Sequence, residues 1–343
     1  MGLRARLRNA IADVRLRSLS RAHPPQIPVV DSVRLELPVR DAFNGALLPF
    51  QDGFLCAYRS YNAKGVRSRV NNRIVYLCLL DSRYRIVPGS NTRLPFNNAT
   101  DPRLFWFRGQ PHLCLTQKLN EDRSNRADHV TEVWRIDADA NQRPGLAIEN
   151  RVVVNSVRDG DRDVMGLEKN WSPFEFGGEL HFVRDYLPHE VVRLEDDGQA
   201  IVIHRTSHEV PWSPWPAQFR GPAPHVFRGN TPPLRIDPER YLSMIHTRVR
   251  SFGSTLYYTG FYTFAASPPF SVREVSPPVL RPWDLREPPP GGNYVAFPLS
   301  LHVVGKTLVV AGGEADLHQR LWTLNLSDVL ANLEEVTPGV DEY

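Results

Sequence analysis

Apolar residues along this chain come in short unbroken runs rather than at helical spacing. Each run is closed by a turn signal and answered by a second run. Five stretches show it most clearly: FNGALLPFQDGFLCAYRS, TDPRLFWFRGQPHLCLTQ, KNWSPFEFGGELHFVRD, NTPPLRIDPERYLSMIHTR and AFPLSLHVVGKTLVVAGGE. Each opens on a small or polar residue close to a proline or serine, runs apolar, and turns at Gly53, Gly109, Gly178, Pro238–Glu239 or Gly305. Short continuous apolar runs between turn signals predict strands buried on both faces, so each stretch reads as strand, tight turn, strand. The opening markers Asn44, Asp101, Asn170, Thr231 and Phe297 recur roughly every sixty residues, a period long enough for four strands and their loops. Further strand-like runs, NRIVYLCLLD, TEVWRID, HEVVRLE and STLYYTGFYTF, fill the intervals. The expected fold is all-β: a five-bladed β-propeller over residues 26–335, preceded by a segment 1–25. Two unrelated β-sandwiches would match the composition and leave the recurrence unexplained.

Composition changes this picture little. The 343 residues are 41% hydrophobic and 23% charged, ordinary for a globular protein, and 30 Pro with 22 Gly favour turns over long helices. A formal net charge of +3 gives no reason to expect a nucleic-acid partner. Cys56, Cys78 and Cys114 all lie inside apolar runs, which suggests buried thiols in a reducing compartment, hence the cytoplasm. No run is long enough for a membrane-spanning helix. Residues 1–25 place Arg4, Arg6, Arg8, Arg15, Arg17 and Arg21 among Leu, Ile, Val and Ala, the pattern of a short basic amphipathic helix. Through residues 1–21 it would touch the inner face of a membrane or an acidic partner; a solvated terminal helix is the plainer reading.

In a propeller the leading ends of the innermost strands converge on one mouth, so the markers would surround one pocket. They deliver Asn44 and Arg59, Asp101 and Arg103, Lys169, Asn170 and Trp171, Arg228 and His246, and Asp316. Cations outnumber acids, which suits a substrate carrying phosphate or carboxylate, with an acid serving as proton donor. Each residue also has a plainer role. Asp101 before Pro102 can satisfy turn N–H groups, and Arg59 and Arg103 can pair with Asp101 and Asp316 in a structural ion network. Lys169 can be a solvated turn residue, His246 a core histidine, and Trp171 and Tyr186 packing residues. No Gly-rich phosphate loop precedes a helix, no Cys or His spacing matches a zinc site, and no G-x-S-x-G elbow occurs, so neither cofactor nor metal is expected.

At these residues the sequence resembles the β-mannoside phosphorylase and hydrolase family (glycoside hydrolase family 130) and the β-1,2-mannosyltransferases sharing its fold. The likeness lies in short motifs over about residues 40–325. TDPRLFWFRGQPHLCLT, the most specific of them, is similar to the family segment holding the catalytic acid. The resemblance implies that Asp101 is the general acid, passing its proton through a mannose hydroxyl. Asn44, Arg59, Arg103 and Asp316 would hold sugar; Lys169, His246 and, less closely aligned, Arg228 would hold phosphate. Thr100 stands where the family usually has Glu, and Arg184 matches a family arginine only after a one-residue shift.

The function expected is an inverting glycosyltransferase or glycoside phosphorylase, the transferase placed slightly ahead. Its partner would be an oligosaccharide and a sugar-phosphate or nucleotide-sugar. A hydrolase of the same fold, or a non-catalytic propeller binding glycans or protein, are the alternatives.

Overall fold

The computed structural model describes residues 25–39, 41–61, 73–96, 98–118, 129–137, 146–160, 162–164, 170–210, 227–229, 231–251, 254–286 and 293–339. The expected amphipathic helix over 1–25 therefore lies almost wholly outside the described residues. The fold is all-β. Among the described residues there are five sheets of four or more strands, a two-stranded ribbon and one short helix, Leu326–Ala331. No helix among them is long and apolar enough to cross a membrane.

The first sheet runs Ala42–Phe50, Gly53–Tyr61, Arg73–Leu80, Thr92–Arg93, and the second Ala99–Phe107, Gln110–Lys118, His129–Asp137, Ala147–Val153. The third leads with Ser172–Phe176 and Glu179–Asp185, followed by His189–Leu194 and Gln199–Thr206. Ser156–Asp159 then pairs in parallel with Gln199–Thr206, and Arg162–Val164 pairs with it in turn as the outer edge. The fourth is built on the long hairpin Arg240–Ser251 and Ser254–Ala265. Its leading stretch is two short strands, Arg228–Gly229 and Leu234–Arg235, rather than the single strand expected. Pro232 and Pro233 lie between them and have no N–H to give a ladder. The fifth sheet runs Ala296–Val304, Thr307–Glu314, His318–Asn325, and its last strand is Asp31–Arg34 from the other end of the chain.

The leading strands are buried along most of their length, as continuous apolar runs require. All five turns fall where the glycine and proline signals put them. At Gly177–Gly178 both φ angles are positive, the geometry a two-residue hairpin turn needs.

A separate apolar core fills each junction between neighbouring sheets. Leu48, Leu55 and Leu77 meet Leu104 and Leu113 between the first and second sheets, and Phe105 and Cys114 meet Trp171 and Phe182 between the second and third. Phe174 and Tyr186 meet Tyr262 and Phe264, then Leu242 and Phe261 meet Leu308 and Trp322. Finally Val309 and Leu321 of the fifth sheet meet Leu47, Cys56 and Tyr58 of the first. The succession of packed sheets thus returns to its start. The three cysteines are free and buried within these junctions.

Candidate active site at the leading ends of the strands

In the first two sheets the ladder slips at the start of the leading strand, between Phe43 and Ala46 and between Thr100 and Arg103. The residues carried in those bulges are Asn44–Gly45 and Asp101–Pro102. Asn44 (φ 48°) and Asp101 (φ 55°) both adopt the left-handed conformation, as does Asn170 (φ 74°) just before the third leading strand. Asn and Asp enter that region more readily than other residues with a Cβ. A bulge re-aims the side chain it carries, so the recurring polar markers leave the apolar alternation and turn towards one another.

The side chains meet. Asn44 Nδ2 donates to Asp101 Oδ1 at 3.3 Å. The Arg59 guanidinium lies 3.4 Å from Asp101 and 3.6 Å from Asp316, with its plane over the Phe43 ring at 4.5 Å. Arg103, fully buried, donates to the Asp101 carbonyl oxygen at 3.0 Å and to Asn170 Oδ1 at 3.3 Å. Asn44 is held from behind. Gly313 packs so closely that a Cβ there would stand 3.0 Å from the Asn44 backbone nitrogen. Gln319 accepts from Gly45 N at 2.5 Å and donates back to Gly45 O at 3.0 Å.

His246 lies beyond this group, opposite Arg228 in the fourth sheet. Its ring stacks on Tyr257 at 5.4 Å and meets the edge of Phe297 at 5.1 Å. Burial, followed by the neighbouring Arg103, drives its imidazole down to about 3, with Asp101 opposing. It is therefore neutral near pH 7, a hydrogen-bonding group rather than the cation the charge count allowed. Its Nδ1 is buried and has no hydrogen-bond partner among the described residues. Arg228 stands 3.7 Å from Asp185, too far for a hydrogen bond.

Of the residues expected from sequence, the structure brings Asn44, Arg59, Asp101, Arg103, Asn170 and Asp316 into one contact network, with His246 electrostatically coupled to it. Lys169 lies outside the described residues. Trp171 is only 3% exposed and its ring packs 5.5 Å from Phe182 in the junction core, so the indole is a packing group and not a surface for a sugar ring. Tyr186 is likewise core, 5.0 Å from Tyr262. Arg184 is committed to Glu190 at 2.8 Å.

Three residues were missed. Arg73, half-buried at the start of a strand, is coupled to Arg59, Asp101 and Asp316; burial and then Arg59 lower its pKa. Tyr257 has its phenol raised by burial and then by Asp316, while Arg248 opposes through its charge and a hydrogen bond. The only signal available was position. Arg73 is the cross-strand partner of Tyr61, and Arg248 of Tyr257, pairings that appear once register is known. Among the described residues no three His, Cys, Asp or Glu side chains are arranged to hold a metal ion.

No family model and no curated protein matches the chain. Solved structures do. A GDP-Man-dependent mannosyltransferase from Leishmania mexicana superposes with a TM-score of 0.59 at 13% identity, covering 91% of this chain and 94% of its own. A mannose phosphorylase from the same organism, in complex with phosphate ion, gives 0.56 at 12% identity over 94% and 96% of the two chains. The β-1,2-mannobiose phosphorylase from Listeria innocua gives 0.53 at 11% identity over 90% and 97%. The chain has the fold of these mannoside enzymes. Coverage on both sides is nearly complete, so the likeness extends over all five sheets.

Proposed function

We propose that this chain is a carbohydrate-active enzyme that makes or breaks a β-mannoside bond with an anionic partner. The five sheets are then the blades of a five-bladed propeller, whose leading strand ends form the pocket. Asp101 is the general acid or base, set in a bulge, oriented by Asn44 and paired with Arg59. Asn44, Arg59, Arg103, Asn170 and Asp316 bind the sugar around it. His246, Arg228 and Lys169 hold the phosphate, His246 through a neutral ring nitrogen. The observation carrying this reading is that a carboxylate in a left-handed bulge is clasped from two other strands while His246 Nδ1, buried nearby, has no partner among the described residues. A neutral imidazole nitrogen with no partner among the described residues can hydrogen-bond a ligand oxygen.

In the transferase direction, the bond between the anomeric carbon and the donor phosphate oxygen breaks, and the acceptor hydroxyl oxygen attacks the opposite face. The acceptor proton passes to Asp101, directly or through a sugar hydroxyl, and the phosphate leaves as an anion. A phosphorylase runs the same steps backwards, with inorganic phosphate attacking and Asp101 protonating the departing sugar oxygen. The fold likeness to both kinds of enzyme supports the pair. The test is incubation with GDP-mannose or mannose 1-phosphate and a panel of mannose acceptors, following release of GDP or phosphate. The reading requires release by the wild type and its loss in Asp101→Asn with sugar binding retained. Release unaffected by Asp101→Asn, or no release with any donor, refutes it.

A further inference from the structure

The sugar half of the pocket holds three guanidinium groups, Arg59, Arg73 and Arg103, facing two carboxylates, Asp101 and Asp316. Two of the three are engaged. Arg59 lies between the carboxylates, and Arg103 is bonded to the Asp101 carbonyl and to Asn170. Arg73 has no hydrogen bond or ion pair on its guanidinium among the described residues.

Register places it beside the others. Phe43 pairs with Arg59, and Tyr61 with Arg73, across adjacent strands of the first sheet. Cross-strand partners share a face, and so do residues two apart. Phe43, Arg59, Tyr61 and Arg73 therefore form one patch at the leading end of this sheet. Phe43 and Tyr61 stack at 4.8 Å as its apolar floor. Arg59 and Arg73 are diagonal neighbours on it, and like charges so placed repel; burial and then this repulsion lower the pKa of Arg73, with Asp101 and Asp316 opposing. A cation kept half-buried beside another, with no bond of its own, is poised for an anion arriving from outside.

We propose that Arg73 binds an anionic substituent on the sugar itself, a phosphate or carboxylate on the ring, separate from the phosphate held at His246. This rests on the sugar-binding reading of the pocket but not on turnover, so it is tested by binding alone. Calorimetric affinities are measured for mannose, mannose 6-phosphate, mannuronate and inorganic phosphate, with wild type, Arg73→Gln and Arg73→Lys. One charge-assisted contact predicts that wild type prefers one of the two charged sugars to mannose by about 10- to 100-fold. Arg73→Gln abolishes that margin by weakening the charged sugar far more than mannose, and Arg73→Lys restores part of it. Whichever charged sugar shows the margin identifies the substituent. Equal affinity for neutral and charged sugars overturns the proposal, as does an equal loss for all sugars in Arg73→Gln. A margin that survives in Arg73→Gln and is competed away by inorganic phosphate also overturns it, since the anion then sits at His246. If no sugar binds at all, the failure lies with the pocket reading itself.

Discussion

Replacing Asp101 by Asn, Gly and Ala separates its charge from its backbone. The carboxylate lies 3.4 Å from Arg59, where an effective dielectric of about 20 gives a gross attraction of about 5 kcal/mol. Desolvation offsets most of this, and Arg59 keeps Asp316 at 3.6 Å, so the cation is not stranded when Asp101 is neutralised. A long charge-assisted contact then leaves about 1.5 kcal/mol as the cost of Asp101→Asn. Asn also tolerates the φ of 55°. Ala does not: a Cβ without a polar group in the left-handed region costs about 1–2 kcal/mol more, and Ala loses the Asn44 contact as well. Gly loses that contact but adopts this φ freely, at about 0.5–1 kcal/mol of added chain entropy. The expected order of stability is Asp, Asn, Gly, Ala, with Ala about 1 kcal/mol below Gly, read from urea midpoints at constant m. Turnover should fall about 100- to 10,000-fold in all three. Ala as stable as Gly would refute the backbone argument, and an active Asn variant would refute the role of the acid.

Three further outcomes follow from other parts of the molecule. Burial lowers His189 and His246 to about 3 and His208 and His302 to about 4, so each stays neutral when folded but takes up a proton near pH 6.5 when unfolded. Between those values the unfolded chain binds more protons. Stability is therefore complete above about pH 6.5 and falls by up to about 1.4 kcal/mol per pH unit for each histidine on acidification; denaturation midpoints flat from about pH 7 to 5 would contradict this. Gly313→Ala should displace Asn44 from Asp101, costing about 1–3 kcal/mol of stability and at least tenfold in turnover, measured by unfolding and initial rates. Deleting residues 1–35 should bare the edge of His318–Asn325 and remove buried Leu35 and Ile27, seen as a lower unfolding temperature and as aggregation in light scattering.

The hairpins were legible because a continuous apolar run, a glycine or proline turn and a second run lie together in sequence. The cluster around Asp101 was legible for the same reason: its members sit at matched places in repeated units. Pairings between distant residues were not. Nothing local in DSVR says that it will lie beside LWT, and Arg73 looks like any strand-opening arginine until Tyr61 is found opposite it. Trp171 was a pocket candidate only by its place beside polar Asn170, and the strand turns its ring into the junction behind the pocket, the packing role also open to it from sequence. The broken leading strand of the fourth sheet could have been read from Pro232–Pro233, since neither can donate to a ladder.

Asp31 and Thr323 are cross-strand partners although 292 residues separate them. The ribosome thus makes Asp31–Arg34 long before the strand it pairs with. Until His318–Asn325 emerges, the opening strand has no mate, and the first sheet lacks the neighbour that covers Tyr58 and Cys56. Completing the fifth sheet must wait for a partner far downstream in sequence, which makes slow folding and a need for protection during synthesis a direct result of where one four-residue strand was put.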